Sequence, residues 1–214
     1  MAPINLSATF NILRTLKNPA LLYPQCTISS FDHLPIPLSR AFPTIKTDIR
    51  AVIIDKDNCF AAPHALNVYP AYHETFERLK KEYPGDRLLI VSNSSGTAGE
   101  DPGGKEAEIL ERNTGVKVLR HSTKKPGCYN EIFEFLQRSP DVGITRPDQV
   151  AVVGDRLFTD VLMAGMMGSY GIWIRDGTPA RPAGGTWYGR IESGLLGLLE
   201  RRGYKPLVPS SRTL

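Results

Sequence analysis

Four short polar clusters in this 214-residue chain contain residue types that could do chemistry together. The first is "DKDN", with Asp55, Asp57 and Asn58; the second is "SNSSG", running from Ser92 and Asn93 to Gly96. The third is "KKP", Lys124, Lys125 and Pro126; the fourth is "GDRLFTD", with Gly154, Asp155 and, five residues on, Asp160. Carboxylates gathered at one point repel unless a cation lies among them. Hard oxygen ligands with few dedicated protein groups suit Mg²⁺, which keeps part of its water shell and accepts a substrate phosphate oxygen. A lysine and a serine beside it would hold the remaining phosphate oxygens, because charge spread over a transferring phosphoryl group is what such a site must stabilise. The spacing of Asp55 and Asp57 allows a division of labour: if the chain turns after Asp55, one carboxylate attacks phosphorus while the other reaches the leaving oxygen.

The clusters act together only if the fold gathers them. From residue 50 on, strand-like "AVIID", "RLLIVSN", "VKVLRH", "QVAVVGD" and "YGIWIRD" alternate with helix-like "AYHETFERLKKEY", "GKEAEILERNTG", "CYNEIFEFLQRS" and "FTDVLMAGMMG". Short apolar strands between amphipathic helices predict an α/β fold, a doubly wound, Rossmann-like parallel sheet covered on both faces. Ligands of such sheets collect at the carboxyl ends of the strands, where these clusters fall.

Four clusters in this order resemble the haloacid-dehalogenase superfamily of phosphatases, over roughly residues 50 to 175. The resemblance implies a role for each position. Asp55 would be the nucleophile and a metal ligand; Asp57 would be the general acid/base and would also bind the metal through its backbone carbonyl. Ser92 would bind phosphate with Asn93 and Asn58 nearby, and Lys125 would neutralise nucleophile and phosphate, with Lys124 a competitor for that place. Asp155 would be an acidic Mg²⁺ ligand and Asp160 the second acid of the metal shell. Cys59 stands where the superfamily usually has Thr or Val. Asn58 also suits a tight turn, and Ser94 and Ser95 suit a helix cap. His64, His73 and His121 lack metal-ligand spacing and are expected to be surface or packing residues.

Each gap between the first three clusters has room for one helix and a loop, so the site is expected to be capless and open to a phosphate presented by something large or by a surface. The stretches "DKDNC", "VSNSSGT", "HSTKKPGC" and "VGDRLFTDVLMAGMMGSYGIWI" are similar to the fungal mitochondrial phosphatidylglycerophosphate phosphatases. This implies an anionic phospholipid substrate, converted to phosphatidylglycerol on the way to cardiolipin. It also implies a peripheral position on the matrix side of the mitochondrial inner membrane, with no nucleic acid partner. Arg156, Arg14, Lys17, Arg175 and Arg181 would then be candidates to face headgroups, each worth about 1 kcal/mol near an anionic surface.

The composition agrees with a globular domain: 41% hydrophobic, 22% charged, net charge +4, and no apolar run near the roughly 20 residues that span a bilayer. The basic excess favours anionic partners without choosing among them. Cys26, Cys59 and Cys128 form neither a disulfide framework nor a zinc site. Residues 1–48 are expected to be a membrane-associating extension and linker, 49–205 the phosphatase domain, and 206–214 a tail. In the extension, Leu6, Phe10 and Leu13 recur at helical spacing beside Arg14 and Lys17, and no acid precedes Asp32. That pattern fits an interfacial helix, a presequence or a helix packed on the domain. The Pro-rich "HLPIPLSRAFPTI" that follows is predicted to be extended linker. "GLLGLL" and Met163, Met166 and Met167 fit core packing, or contact between subunits of a homo-oligomer.

Overall fold

The computed structural model describes residues 15, 17–43, 47–179 and 187–212. Six parallel strands form one sheet: β1 (Cys26–Ile28), β2 (Ala51–Ile54), β3 (Leu88–Ile90), β4 (Lys117–Val118), β5 (Val150–Gly154) and β6 (Tyr170–Ile174), in the order β1-β6-β5-β2-β3-β4. The helices are α1 (His73–Glu82), α2 (Lys105–Thr114), α3 (Tyr129–Arg138), α4 (Leu162–Met167), which continues a π-helical turn over Leu157–Val161, and α5 (Trp187–Arg201).

Strand alternation divides the core between the two faces of the sheet. Val52 and Ile54 pack with Phe76, Leu79, Ala107 and Leu110 of α1 and α2, while Ala51 and Ile53 pack with Ile132 and Leu136 of α3 and Met163 and Met167 of α4. The predicted doubly wound sheet is therefore present, and Met163 and Met167 serve its core. A third cluster joins Leu196 and Leu199 of α5 to Leu22, Leu157, Val161, Leu162 and Trp173.

The stretch expected to be extended linker departs from that reading. Leu34, Ile36, Leu38 and Phe42 of that stretch are buried in the core, and just before it Cys26–Ile28 adds a strand to the sheet edge beside β6 and Phe31 is buried with them. Phe31 lies 5.7 Å, centroid to centroid, from Tyr72. The prolines do prevent a long helix here, but the apolar residues between them recur often enough to bury one side of the segment. The tail is likewise pinned to the domain. Leu207 O accepts a hydrogen bond from Gln25 Nε2 at 2.9 Å, and Ser210 N donates to Gly168 O at 2.7 Å. The stripe of Leu6, Phe10, Leu13 and Arg14 lies outside the described residues, as does Arg181.

Candidate active site

Parallel strands point all their carboxyl ends to one side, so the polar residues just beyond β2, β3, β4 and β5 share one crevice. Lys125 crosses it. Its buried ammonium donates to Asp55 Oδ1 at 2.5 Å and to Asp160 Oδ1 at 2.6 Å. Asp155 completes the group: carboxylate oxygens of Asp55, Asp155 and Asp160 lie within 4.8 Å of one another, and all three residues are buried. Three carboxylates against one ammonium leave a formal charge of −2 among largely buried side chains. That charge and an all-oxygen donor set fit one divalent hard cation.

The electrostatics follow from this crowding. Burial pushes Asp55 up to about 6, with the Lys125 charge pulling down and Asp160 pushing further up. For Lys125, burial favours the neutral amine, but Asp160 and Asp55 outweigh it and raise the ammonium above its ordinary range. Lys124, its rival in the sequence, points instead to the surface and pairs with Glu100 at 2.5 Å. A half-exposed pair of this kind is worth under about 1 kcal/mol, so Lys124→Ala is expected to keep turnover within about twofold of the parent, measured as phosphate release.

Asp57 is not part of the carboxylate group around Lys125. Its Oδ1 accepts from Lys56 Nζ at 2.6 Å and from His64 N at 2.8 Å, and its Oδ2 accepts from Ser94 Oγ at 2.9 Å. Burial opposes ionisation here, yet the Lys56 charge and these donors hold the carboxyl below its usual range. Lys56 is itself buried and also donates to Ala65 O at 3.2 Å, tying the loop after β2 back onto the turn. Asn58 takes a left-handed φ of 59°, which Asn tolerates better than most residues, and its N–H donates to Ala61 O. The turn role read from its sequence position is the one the backbone gives it.

Ser92 is buried beside this network, its Oγ 3.0 Å from Ser94 Oγ. The Asn93 side chain accepts a 2.7 Å hydrogen bond from Lys125 N, so it places the lysine rather than simply lining the crevice. His121 Nε2 lies 2.9 Å from Ser92 O and its Nδ1 2.8 Å from Thr123 O, a buried packing role that links the second and third clusters. Cys59 packs against β5, its Sγ 3.8 Å from Val153 O. Arg156 extends to the surface beside Asp155, whereas Arg175 is paired with Asp176 at 2.7 Å.

Gly154 explains its own identity. A Cβ there would stand 2.3 Å from Asp160 Cγ, so any side chain would drive Asp160 from its place beside Lys125. Gly154→Ala is expected to reduce kcat on the order of 10²-fold, the usual cost of misplacing a reacting or charge-balancing group by about 1 Å. Lys56 and Glu192, a buried residue on α5, are the members of this neighbourhood that sequence reasoning missed. Ser94, expected to suit a helix cap, caps no helix among the described residues and instead donates to Asp57.

A parallel sheet whose strand ends collect an aspartate pair, a serine, a buried lysine and two further acids is a phosphatase arrangement, consistent with the haloacid-dehalogenase-like class. Comparison with known proteins makes the assignment narrower. Residues 6–179 match the family described as mitochondrial PGP phosphatase, and the chain belongs to that family; it is a phosphoric monoester hydrolase. It is 51% identical over 174 residues to the mitochondrial phosphatidylglycerophosphatase GEP4 of Saccharomyces cerevisiae, covering 81% of this chain and 89% of that one. A probable mitochondrial phosphatidylglycerophosphatase of Schizosaccharomyces pombe is 30% identical over 81% of this chain and 84% of its own length. The chloroplastic/mitochondrial phosphatidylglycerophosphate phosphatase 1 of Arabidopsis thaliana is 32% identical over 74% of this chain and 44% of its own.

Proposed function

We propose that this enzyme is a Mg²⁺-dependent phosphatidylglycerophosphatase that works through an aspartyl-phosphate. It would release phosphatidylglycerol and phosphate, a step towards cardiolipin, at the matrix side of the mitochondrial inner membrane. The observation that carries the reaction type is the Lys125 ammonium shared by Asp55 and Asp160 beside Asp155. The names of the relatives support the lipid and the mitochondrion. No helix among the described residues is long and apolar enough to cross a membrane, which is compatible with peripheral attachment.

Asp55, Asp155 and Asp160 would hold the ion, with Asp57 offering its backbone carbonyl; when bound, the ion would offset phosphate charge as a Lewis acid. The chain's own residues supply the rest. An Asp55 oxygen attacks phosphorus as the ester P–O bond breaks, and Asp57 gives a proton to the departing glycerol oxygen. Water then attacks the phosphorus of the aspartyl-phosphate and gives its proton to Asp57, releasing phosphate and restoring Asp55. The ionised Asp57 held by Lys56 and Ser94 is the base of that second step. Because the free carboxyl is held ionised, Asp57 takes up the proton it donates as the anionic phosphate binds beside it. The proton it gains from water in the second step returns to solvent with the product. Ser92 would offer its hydroxyl to the phosphate while Ser94 keeps its own on Asp57, and Lys125 balances nucleophile and phosphoryl charge throughout.

Between Asp57 and Ser92 the chain forms only a loop, two short 3₁₀ turns flanking α1, and β3, with no inserted domain over the entrance. An open entrance suits a headgroup presented at a membrane, with Arg156 on its rim. Phosphate release from micellar phosphatidylglycerophosphate, set beside release from water-soluble phosphomonoesters, tests the substrate. The lipid is expected to be turned over far faster, and equal rates on the soluble esters would defeat the lipid assignment.

A further inference from the structure

We infer that Glu192, on α5, is a positioning residue for the metal-facing turn: its carboxylate holds the backbone of Leu157–Val161 so that Asp160 meets Asp55 and Asp155. This rests on the reading that those three carboxylates hold Mg²⁺.

A helix begins with N–H groups that have no partner of its own, and the π-helical turn is no exception. Its later donors are satisfied within the turn, since Asp160 N and Val161 N both donate to Arg156 O. Arg156, at the position before the turn, makes no side-chain cap. The opening donors go across to another helix instead. Phe158 N donates to Glu192 Oε1 at 3.3 Å, and the Leu157 N–H faces the same carboxylate.

Glu192 is only 1% exposed, and its Oε2 makes no hydrogen bond among the described residues. Such burial is costly, lifting its carboxyl to about 7. Helix docking does not require it, because Leu196 and Leu199 already seat α5 on Leu157, Val161 and Trp173. What the carboxylate adds is an acceptor for the backbone that leads into Asp160, whose own Oδ2 accepts from Arg156 N at 3.2 Å. Arg156 and Asp160 are the charged groups that act on it, the first favouring its ionised form and the second opposing it. π-Turns commonly mark functional sites, and this one places a candidate metal ligand while a side chain distant in sequence fixes its start.

Calorimetric titration of MgCl₂ into the full, metal-free chain without substrate, together with melting in EDTA, tests this directly. Glu192→Leu is expected to weaken Mg²⁺ binding by about 10- to 100-fold, the range typical for partners that orient a metal ligand. Glu192→Gln, which keeps an oxygen acceptor, is expected to stay within about threefold. Leu199→Ala, which loosens α5 but keeps the carboxylate, is expected to lower the melting temperature and leave affinity unchanged. Should Glu192→Leu fail to fold, Glu192→Ser, too short to reach Phe158 N, takes its place. Parental affinity in Glu192→Leu or Glu192→Ser would overturn the inference, as would an equal loss in Leu199→Ala or Glu192→Gln. If the parent protein itself bound no Mg²⁺, the metal reading would fall and this inference with it.

Discussion

Asp55→Asn is expected to lower phosphate release on the order of 10⁴-fold or more, the scale on which enzymes that form covalent intermediates lose rate with their nucleophile. An amide fills the same space and can still accept from Lys125, but it is too weak a nucleophile to attack phosphorus. The same substitution is expected to stabilise the metal-free protein, and here the sign matters. Burial raises Asp55 from 3.8 to about 6. Between those values the folded protein keeps a proton that the unfolded chain has shed, so metal-free stability falls as pH rises through that window. Removing the charge removes this loss. Melting at pH 7 in EDTA should place Asp55→Asn above the parent, by roughly 1–3 kcal/mol. Saturating Mg²⁺ should close or reverse the gap by favouring the ionised carboxylate. A variant that kept appreciable turnover would remove Asp55 from the nucleophile's place.

Lys125→Met should have the largest combined effect on stability and rate. It would leave Asp55, Asp155 and Asp160 buried together with no ammonium among them. Breaking a buried pair by deleting one partner typically costs about 3–5 kcal/mol, because the remaining charge has nothing to compensate it. The raised Lys125 means its contribution is fully present below the lysine's ordinary value and is lost only as pH rises beyond it, so the deficit should hold across the neutral range. Urea unfolding at pH 7 should show the loss in EDTA and partial recovery in Mg²⁺, which would supply positive charge to the same carboxylates. Turnover should not recover with it, since no ammonium would remain to hold the phosphoryl group. Parental stability in EDTA would mean that the three acids are not crowded as described.

Much of this site could be read before the fold was known, because parallel sheets turn order along the chain into position in space. Asp55, Ser92, Lys125 and Asp155 each follow a strand, so their convergence was written in the alternation of apolar runs and helices. The choice between Lys124 and Lys125 was not, since adjacent residues point in different directions and only packing decides which is buried. Lys56 escaped notice for a related reason. A lysine between two aspartates looks solvated, and its burial depends on Ala65 O, brought back by a loop. Glu192 lies 34 positions from the Phe158 N–H it accepts, a pairing that helical periodicity does not reveal. The edge strand Cys26–Ile28 was hidden because it is three residues long, partly exposed and set among prolines.

The central claim is that Asp55 carries the phosphoryl group during turnover. Acid quenching of the full-length enzyme within a single turnover of phosphatidylglycerophosphate labelled with ³²P in its terminal phosphate, followed by peptide mapping, tests it most directly. The account predicts acid-stable, hydroxylamine-labile label on the peptide that contains Asp55, absent in Asp55→Asn. Rapid release of labelled phosphate with no label on the protein, or label on a peptide without Asp55, would contradict it.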